Sequence, residues 1–490
     1  MLLGYDLGSS SIKATLIRAG TGEVLASATY PKQEMSMISK RFGWAEQKPE
    51  EWWTSIKNAT QELFLKSRAP KERIKAIGIS YQMHGLVLID KDQKVLRPSI
   101  IWCDSRAVDI GKKAFHDLGA EYCLTNYLNS PGNFTASKLK WVMDKEPEIY
   151  EQVHKAMLPG DYIAMKMSGE VNTTISGLSE GIFWDFKSKS IADKLLEYYG
   201  IDKSILPDIV DTFSVQGQLS SSAAKELGLP EGIKISYRAG DQPNNAFSLN
   251  VLNAGEFAAT AGTSGVVYGI TETPEYDPLS RVNTFVHVNH AKRAARYGVL
   301  LCVNGTGSLN SWLQKNLVPG TSYEEMNDMA ARAPIGADGL SFIPFGNGAE
   351  RIMENNDIGA RLSGLNFNRH NPSHIIRAGQ EGIVFALNYG FNIMKEMGME
   401  LKTIRAGHAN MFLSPLFREA FANITYATVE LYNTDGAQGA ARGAGIGAKV
   451  YANYEEAFRG LKSIETIEPS PQLFGAYEDA YENWLKNLNN

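Results

Sequence analysis

The sequence predicts an α/β protein with two domains of similar design. Its 490 residues exceed what one hydrophobic core usually supports. Each half opens with a strand, a short turn rich in Gly, Ser and Thr, and a second strand, and each continues with further strands and helical patterns. We therefore expect domains at 1–245 and 246–490, with the last helices packing back on the first domain.

The composition excludes several classes of protein. The net charge is −5 and no basic block is present, which makes nucleic acid and anionic membranes poor partners. No apolar run approaches the roughly 20 residues that cross a bilayer, and the N-terminus lacks the positive segment of a secretory signal. Three cysteines without paired spacing (Cys103, Cys123, Cys302) are typical of a reducing compartment. We expect a cytoplasmic enzyme.

The first half should begin as an antiparallel meander. Turns separate three β-rich runs, at Leu2–Tyr5, Ile12–Ile17 and Glu23–Tyr30. A helix is predicted to start at Pro49, because two acidic residues follow this proline and apolar residues then recur at helical spacing. Further strands are predicted at 74–80 and 86–90, and mostly helices from 108 to 199.

The second half repeats this opening. Predicted strands at Phe257–Ala261 and Val266–Ile270 flank a polar turn, and a long helix should start at Asn371-Pro372-Ser373. The stretch Gly436–Gly445 is compatible with a helix although its glycines disfavour one. Such a composition indicates that another backbone or a flat ligand comes very close.

The turn after the first strand has the residue types of a phosphate site. Gly8, Ser9 and Ser10 offer backbone and hydroxyl donors to an anion, and Lys13 adds a positive charge. Asp6 would repel a bare phosphate, so its natural use is to hold a hydrated Mg²⁺. The alternative is an ordinary hairpin with an Asp-stabilised turn.

The turn Gly262-Thr263-Ser264 repeats the same chemistry without an acid. Either turn alone is weak evidence. Two such turns at equivalent places in two domains indicate a polyphosphate bound in a cleft between them.

Two segments carry residues suited to a polyol. Gln82-Met83-His84 follows a strand, where polar contacts to ligands tend to lie; the alternative is a buried loop with a satisfied histidine. Asp104 and Arg106 follow an apolar run. In a strand, residues two apart face the same side, so these two are predicted to bind a polyol jointly.

Asp241 is the candidate general base. It comes after a predicted strand at 233–237, near the expected domain boundary. A carboxylate suits the deprotonation of an alcohol that attacks a phosphoryl group, since the proton leaves late. The same residue is equally suited to be a helix N-cap.

Together these segments resemble the sugar kinases of the FGGY family, which share the hexokinase/actin/chaperone ATPase fold. The resemblance runs in order over nearly the whole chain. It rests on Asp6–Lys13, Gly43–Gln47 with Trp52-Trp53, Trp102–Arg106, Gly240-Asp241-Gln242, Gly262-Thr263-Ser264, Glu350-Arg351 with Ala360-Arg361, and Arg377-Ala378 with Glu381-Gly382. It implies two actin/hexokinase-like (ribonuclease H-like) domains around a central cleft.

Within the family, Gln82-Met83-His84-Gly85 is most similar to the xylulokinases, although gluconate kinases have a similar Met-His element. The resemblance implies ATP and Mg²⁺ as cofactors, Asp241 as proton acceptor and Asp6 as a residue needed for activity. It implies ketose contacts from Gln82, Met83, His84, Asp104, Arg106 and Gln242, and places Gly407, Asn410 and a helix at 436–443 around adenosine. Homodimers are common in the family.

Two segments depart from the family pattern. Arg405–Asn410 stands where the family usually has a glycine-rich run with a serine, on the adenosine side. Pro243-Asn244-Asn245 replaces a run that is usually small and apolar, beside the sugar.

The resemblance thus implies ATP-dependent phosphorylation of a ketose, with D-xylulose to D-xylulose 5-phosphate as the expected reaction. One alternative is a kinase for another polyol, such as gluconate, ribulose or another ketose. Another is a non-enzymatic ATP switch of the actin or chaperone type, which would have no need of Met83, His84, Asp104, Arg106 and Asp241 together.

Overall fold

The computed structural model describes residues 1–489, and these form two compact units. Unit 1 contains residues 1–250, 285–297 and 434–461, and unit 2 contains residues 251–284, 298–433 and those from 462 onward. The segment that returns to the N-terminal unit is thus 434–461, whereas the last helix, Phe474–Leu488, lies in unit 2. No helix within residues 1–489 is both long and apolar enough to span a bilayer.

Unit 1 is built on a six-stranded mixed sheet. Its order is Gly217–Gln218, Lys234–Gly240, Ala76–Tyr81, Leu2–Leu7, Ile12–Ile17 and Val24–Tyr30. The last three strands are antiparallel neighbours, which confirms the predicted meander.

Three neighbouring strands of this sheet are parallel: Leu2–Leu7, Ala76–Tyr81 and Lys234–Gly240. Tyr81 pairs in register with Leu7 on one side and with Gly240 on the other. The carboxyl ends of all three strands therefore meet at one edge, and the segments that follow them are brought together there.

A glycine-rich helix, Gly436–Gly447, lies directly on this sheet. A Cβ atom at Gly4 or Gly78 would collide with the carbonyl oxygens of Ala437 and Ala440, and one at Gly443 would collide with the ring of Tyr237. The close approach that the glycines predicted is therefore confirmed: the helix Gly436–Gly447 packs directly against the sheet of unit 1. Of the two alternatives that the glycines left open, the structure supports another backbone, whereas the position of this helix beside adenosine stays a prediction.

Smaller elements complete unit 1. Short strand pairs join Glu46–Gln47 to Ser99–Ile100, Val87–Ile89 to Lys155–Met157, Asn172–Thr174 to Asp208–Val210, and Trp184–Asp185 to Ser190–Ile191. The helices are Pro49–Ser67, Val108–Leu118, Ala120–Tyr127, Thr135–Lys145, Pro147–Tyr150, Pro159–Ser168, Ile175–Glu180, Asp193–Tyr199, Ser221–Leu227, Asp241–Ser248, Gly436–Gly447 and Tyr454–Ala457. The helix predicted at Pro49 is confirmed, and its Trp52 and Ile56 are buried in the core of unit 1.

Unit 2 contains most of a seven-stranded sheet. Its order is Asn283–Val286, Tyr297–Val303, Gly265–Thr271, Glu256–Ala261, Thr403–Gly407, Thr428–Tyr432 and Ser463–Ile467, and a small pair joins Ser341–Ile343 to Arg361–Ser363. Glu256–Ala261 forms the predicted hairpin with Gly265–Thr271 and is parallel to Thr403–Gly407. As in unit 1, the hairpin turn and the segment after the parallel strand meet at one edge.

The helices of unit 2 enclose its core. They are Gly307–Leu317, Tyr323–Ala331, Pro372–Glu396, Pro415–Thr425 and Phe474–Leu488. The predicted start of the long helix is confirmed, since the Asn371 side chain accepts the Ser373 amide at 2.9 Å. Its buried face packs with Phe421 and Trp484.

Candidate active site

A cavity of about 450 Å³ opens at the edge where the three parallel strands of unit 1 end. It is lined by Asp6, Gly8, Ser9, Ser10, Ser11, Lys13, Thr29, Gln82, Trp102 and Asp241. The structure thus brings together both predicted catalytic aspartates, the first predicted phosphate turn and one predicted sugar residue.

Asp6 is held at the floor of this cavity. Asp6 and Ser80 are register partners on neighbouring parallel strands, and the Ser80 hydroxyl donates to the Asp6 carboxylate at 2.7 Å. Burial and the nearby Asp435 charge raise the pKa of Asp6, while the Ser80 hydrogen bond and Lys13 act in the opposite direction. A side chain at Gly436 would collide with the Asp6 carboxylate, so glycine is required where this helix begins.

Asp241 follows its strand directly. The strand extends through Gly240, which is itself the N-cap of the helix Asp241–Ser248, so the N-cap alternative for Asp241 is wrong. Burial and the charge of Asp6 raise the pKa of Asp241 to about 7, although hydrogen bonds from the amides of Gln242 partly offset this. A carboxylate with that pKa accepts a proton at neutral pH.

The first phosphate turn is closed by its own backbone. The Gly8 amide donates to the Ser11 carbonyl at 3.1 Å, and Gly8, Ser9 and Ser10 line the cavity. Lys13 also lines it, but its ammonium group is paired with Asp435 at 2.7 Å. The ammonium group of Lys13, which the sequence predicts to bind a phosphate, therefore forms an ion pair with Asp435 in this structure.

The His84 ring has a defined orientation two residues after Gln82, although His84 is not among the residues that line the cavity. Its Nδ1 lies 2.8 Å from the Glu180 carbonyl, which can only accept, so Nδ1 carries the hydrogen. A neutral ring of this tautomer accepts at Nε2. Met83 packs against Gly240, next to Asp241.

Gln82 connects the predicted sugar segment to the predicted phosphate turn. Its backbone amide donates to the Leu7 carbonyl at 2.7 Å, and its Nε2 donates to Gln47 Oε1 at 3.2 Å. Gln47 in turn donates to the Ser9 carbonyl at 2.6 Å. Gln82 Oε1 is buried without a protein partner, which leaves an acceptor for a ligand hydroxyl.

Asp104 and Arg106 do not face the cavity. The strand ends at Ile100, so the prediction that a strand orients the pair is wrong. Both side chains are at most 1% exposed, and Arg106 Nη2 lies 2.6 Å from Asp104 Oδ2. Arg106 also pairs with Glu46 at 2.7 Å. Their polar groups therefore bind each other and Glu46 inside unit 1.

A larger cavity of about 1040 Å³ lies in unit 2. Its lining includes Gly262 and Thr263 of the second turn, the start of the helix Gly307–Leu317, and Asn410. The Gly307 amide donates to the Gly262 carbonyl at 2.9 Å, which joins the turn to the helix N-terminus. Backbone donors and helix dipole at such a junction suit an anion.

Two predicted nucleotide residues lie away from that lining. Ser264 hydrogen-bonds the thiol of Cys302. Gly407 ends the strand Thr403–Gly407, three residues before Asn410. Their predicted contact with the nucleotide stays a prediction.

Comparison with known proteins gives the family. Residues 1–248 match the N-terminal domain of the FGGY family of carbohydrate kinases, and residues 257–451 match its C-terminal domain. The chain belongs to the FGGY family of carbohydrate kinases. The predicted fold class is thereby confirmed, as is its assignment to the sugar kinases.

Individual relatives match almost the whole chain. It is 29% identical to a xylulose kinase of Bacillus subtilis, covering 100% of this chain and 98% of the relative. It is also 29% identical to a xylulose kinase of Escherichia coli, covering 99% and 98%. The crystal structure of a xylulose kinase from Rhodospirillum rubrum superimposes with a TM-score of 0.88 at 25% identity, covering 100% and 98%.

Sequence reasoning missed several residues of this FGGY site. Ser80 and Asp435 hold Asp6 and Lys13, and Gln47 links Ser9 to Gln82. Gln47 could have been found from the sequence, because it lies in Gly43–Gln47, one of the segments that resemble the FGGY family. Only the strand register reveals Ser80, and only the return of residues 434–461 to unit 1 reveals Asp435.

Proposed function

We propose that this protein transfers the γ-phosphoryl group of ATP to D-xylulose, forming D-xylulose 5-phosphate and ADP. The observation that carries the proposal is the position of Asp241 in one cavity with Asp6 and the Gly8–Ser11 turn, with a pKa near 7. The full-length likeness to proteins named xylulose kinase supports the sugar.

In the proposed reaction Asp241 accepts the proton of the sugar's terminal hydroxyl. The hydroxyl oxygen forms a bond to the γ-phosphorus as the bond from that phosphorus to the oxygen of ADP breaks. His84 Nε2 and Gln82 Oε1 accept hydrogen bonds from other hydroxyls of the ketose. Met83 supplies an apolar wall.

The residues fit a divalent cation at Asp6. Asp6 places carboxylate oxygens in the same cavity as the predicted phosphate turn, and oxygen ligands are those that Mg²⁺ prefers. We propose that Asp6 would hold Mg²⁺. The ion would supply charge that offsets that of the phosphates.

The cavity of unit 2 is proposed to bind the nucleotide. Gly262, Thr263 and the start of the helix Gly307–Leu317 offer backbone donors, and Asn410 offers an amide. The volume is at the upper end of the usual range for small-molecule sites. We further propose a cytoplasmic location, which the three free cysteines support.

Charge favours a neutral ketose over gluconate. Of the described residues lining the unit 1 cavity, one is a cation, Lys13, and it is paired with Asp435. Arg106 and Arg238 nearby in the fold are paired with Asp104 and Asp161. A substrate carboxylate would meet the carboxyl groups of Asp6 and Asp241 without an unpaired side-chain cation in the described lining to balance it.

The test is an ADP-release assay over D-xylulose, D-ribulose, a hexulose, gluconate and glycerol at saturating ATP. We expect D-xylulose to give the highest kcat/KM. A higher value for gluconate or glycerol would overturn the proposed sugar but retain the kinase activity. ATP turnover that no sugar stimulates would support the ATP-switch alternative instead.

A further inference from the structure

Lys138 is a fully buried lysine that the proposed reaction does not use. It lies on the first turns of the helix Thr135–Lys145 and is 0% exposed. Burial lowers its pKa to about 7, against the opposing charge of Asp104. Burying an ammonium group is unfavourable, so a lysine at such a position needs specific partners.

The partners of Lys138 are two backbone carbonyls of the sugar site. Its Nζ donates to the His84 carbonyl at 2.9 Å and to the Ile101 carbonyl at 3.0 Å. Ile101 directly precedes Trp102, which lines the unit 1 cavity. One side chain therefore connects the two segments that follow the strands Ala76–Tyr81 and Ser99–Ile100.

The His84 backbone needs such support. Its φ is +59°, in the left-handed region that non-glycine residues rarely occupy. The N-cap residue of this helix, Phe134, also contacts the His84 ring, which it meets edge-on with ring centroids 4.8 Å apart. The carbonyl of Glu180, at the end of the helix Ile175–Glu180, accepts the hydrogen bond from His84 Nδ1.

We propose that Lys138 is a positioning residue for the sugar site. By binding the carbonyls of His84 and Ile101 it holds the His84 backbone in its left-handed conformation, and so keeps the ring in one orientation for the proposed contact with the sugar. Neutral or charged, the amine has at least the two N–H donors that the two carbonyls require. This rests on the proposed function, in which His84 binds the sugar.

The first test is a double-mutant cycle with Lys138→Met, His84→Ala and the double variant. Methionine keeps the length of the side chain and removes its donors. We expect Lys138→Met to raise the KM for sugar about tenfold, the scale of one lost hydrogen bond to a buried group, with the KM for ATP little changed. Lys140→Met is the matched control, because Lys140 lies on the same helix and pairs with Asp144. It should leave both KM values unchanged.

The cycle distinguishes positioning from simple packing. If Lys138 acts through His84, the double variant loses no more kcat/KM than His84→Ala alone. Additive losses, or an unaffected His84→Ala, would overturn the proposal. Should Lys138→Met fail to fold, Lys138→Gln keeps a donor for one carbonyl and serves in the same cycle.

A second readout does not depend on turnover. The ¹⁵N spectrum of the histidine rings should show His84, assigned by its loss in His84→Ala, as the Nδ1–H tautomer in the parent and in Lys140→Met. We expect a mixture of tautomers in Lys138→Met, and an unchanged tautomer would overturn the proposal. The cycle uses whichever sugar of the panel is phosphorylated best. Failure of D-xylulose therefore overturns the proposed sugar and not the role of Lys138.

Discussion

Asp6 and Asp241 line one cavity of unit 1, and burial together with the charge of Asp6 raises the pKa of Asp241. They belong to distant parts of the sequence. The parallel register that aligns Leu7, Tyr81 and Gly240 brings them together. The register of the sheet therefore places the Asp6 charge where it helps to raise the pKa of Asp241.

Asp241→Asn should nearly abolish phosphoryl transfer. Asparagine keeps the size and hydrogen bonding of the side chain but cannot take the hydroxyl proton, so kcat should fall roughly 10²–10⁴-fold. Sugar binding, measured by calorimetry, should persist. A kcat close to that of the parent would leave the proposed reaction without its base.

The same variant should be more stable than the parent above pH 7. The pKa of Asp241 is about 7 in the folded protein against an ordinary value of 3.8. Between these values the folded protein binds a proton that the unfolded chain does not, so the parent loses stability as pH rises from about 4 to 7. Asparagine removes this loss, and the melting temperature at pH 8 should rise. Asp208→Asn, at an exposed aspartate, is the control and should change little.

The pH profile of the parent should show the titration of this base. Because the ionised form of Asp241 is required, kcat/KM for the sugar should fall about tenfold for each pH unit below 7. Asp6→Asn removes the charge that raises the pKa, so its acid limb should move to lower pH. An acid limb that stays in place in Asp6→Asn would contradict the coupling between the two carboxyl groups.

Asp6→Asn should respond to metal where Asp241→Asn does not. The proposed role of Asp6 is to hold Mg²⁺, so weaker binding in Asp6→Asn should be offset in part by raising Mg²⁺ or by supplying Mn²⁺. Titrating kcat of both variants against each metal decides between the roles. If added metal restores kcat equally in both variants, or in neither, the assignment of metal binding to Asp6 and of proton acceptance to Asp241 is wrong.

Much of this site could be predicted from the sequence because its signals are local. A strand, a polar turn and a second strand can be recognised in residues 2–17 of the sequence. Asp6 lies near the end of one predicted strand, and Asp241 follows another. Helix starts at Pro49 and Asn371 are likewise set by residues within one turn.

The parts that could not be predicted depend on distant partners. Lys13 looked available for phosphate because nothing nearby in sequence opposes it, whereas Asp435, at the start of the Gly436–Gly447 helix, pairs with it. The glycines of that helix indicated a close neighbour but not which one, and the neighbour is the sheet of unit 1.

Asp104 and Arg106 show how a sound local rule fails. Residues two apart do share a face in a strand, but the chain turns after Ile100. Asp104 then accepts the Ala45 amide at 2.6 Å, and Arg106 lies over the ring of Trp44 at 3.9 Å. Both partners come from a segment about 60 residues earlier, which no local pattern reveals.

Arg106→Met tests this reassignment. It leaves Asp104 buried without its guanidinium partner, so the free energy of unfolding should fall by about 3–5 kcal/mol, the usual effect of breaking a buried pair. Arg18→Met breaks the exposed pair with Glu23 and should change it by about 0–1 kcal/mol. Urea denaturation gives both values. At a temperature where Arg106→Met is folded, its KM for sugar should stay near that of the parent, because Arg106 does not line the cavity. A large rise in that KM with unchanged stability would instead restore Arg106 as a sugar contact, and would show that the buried pair opens when the sugar binds.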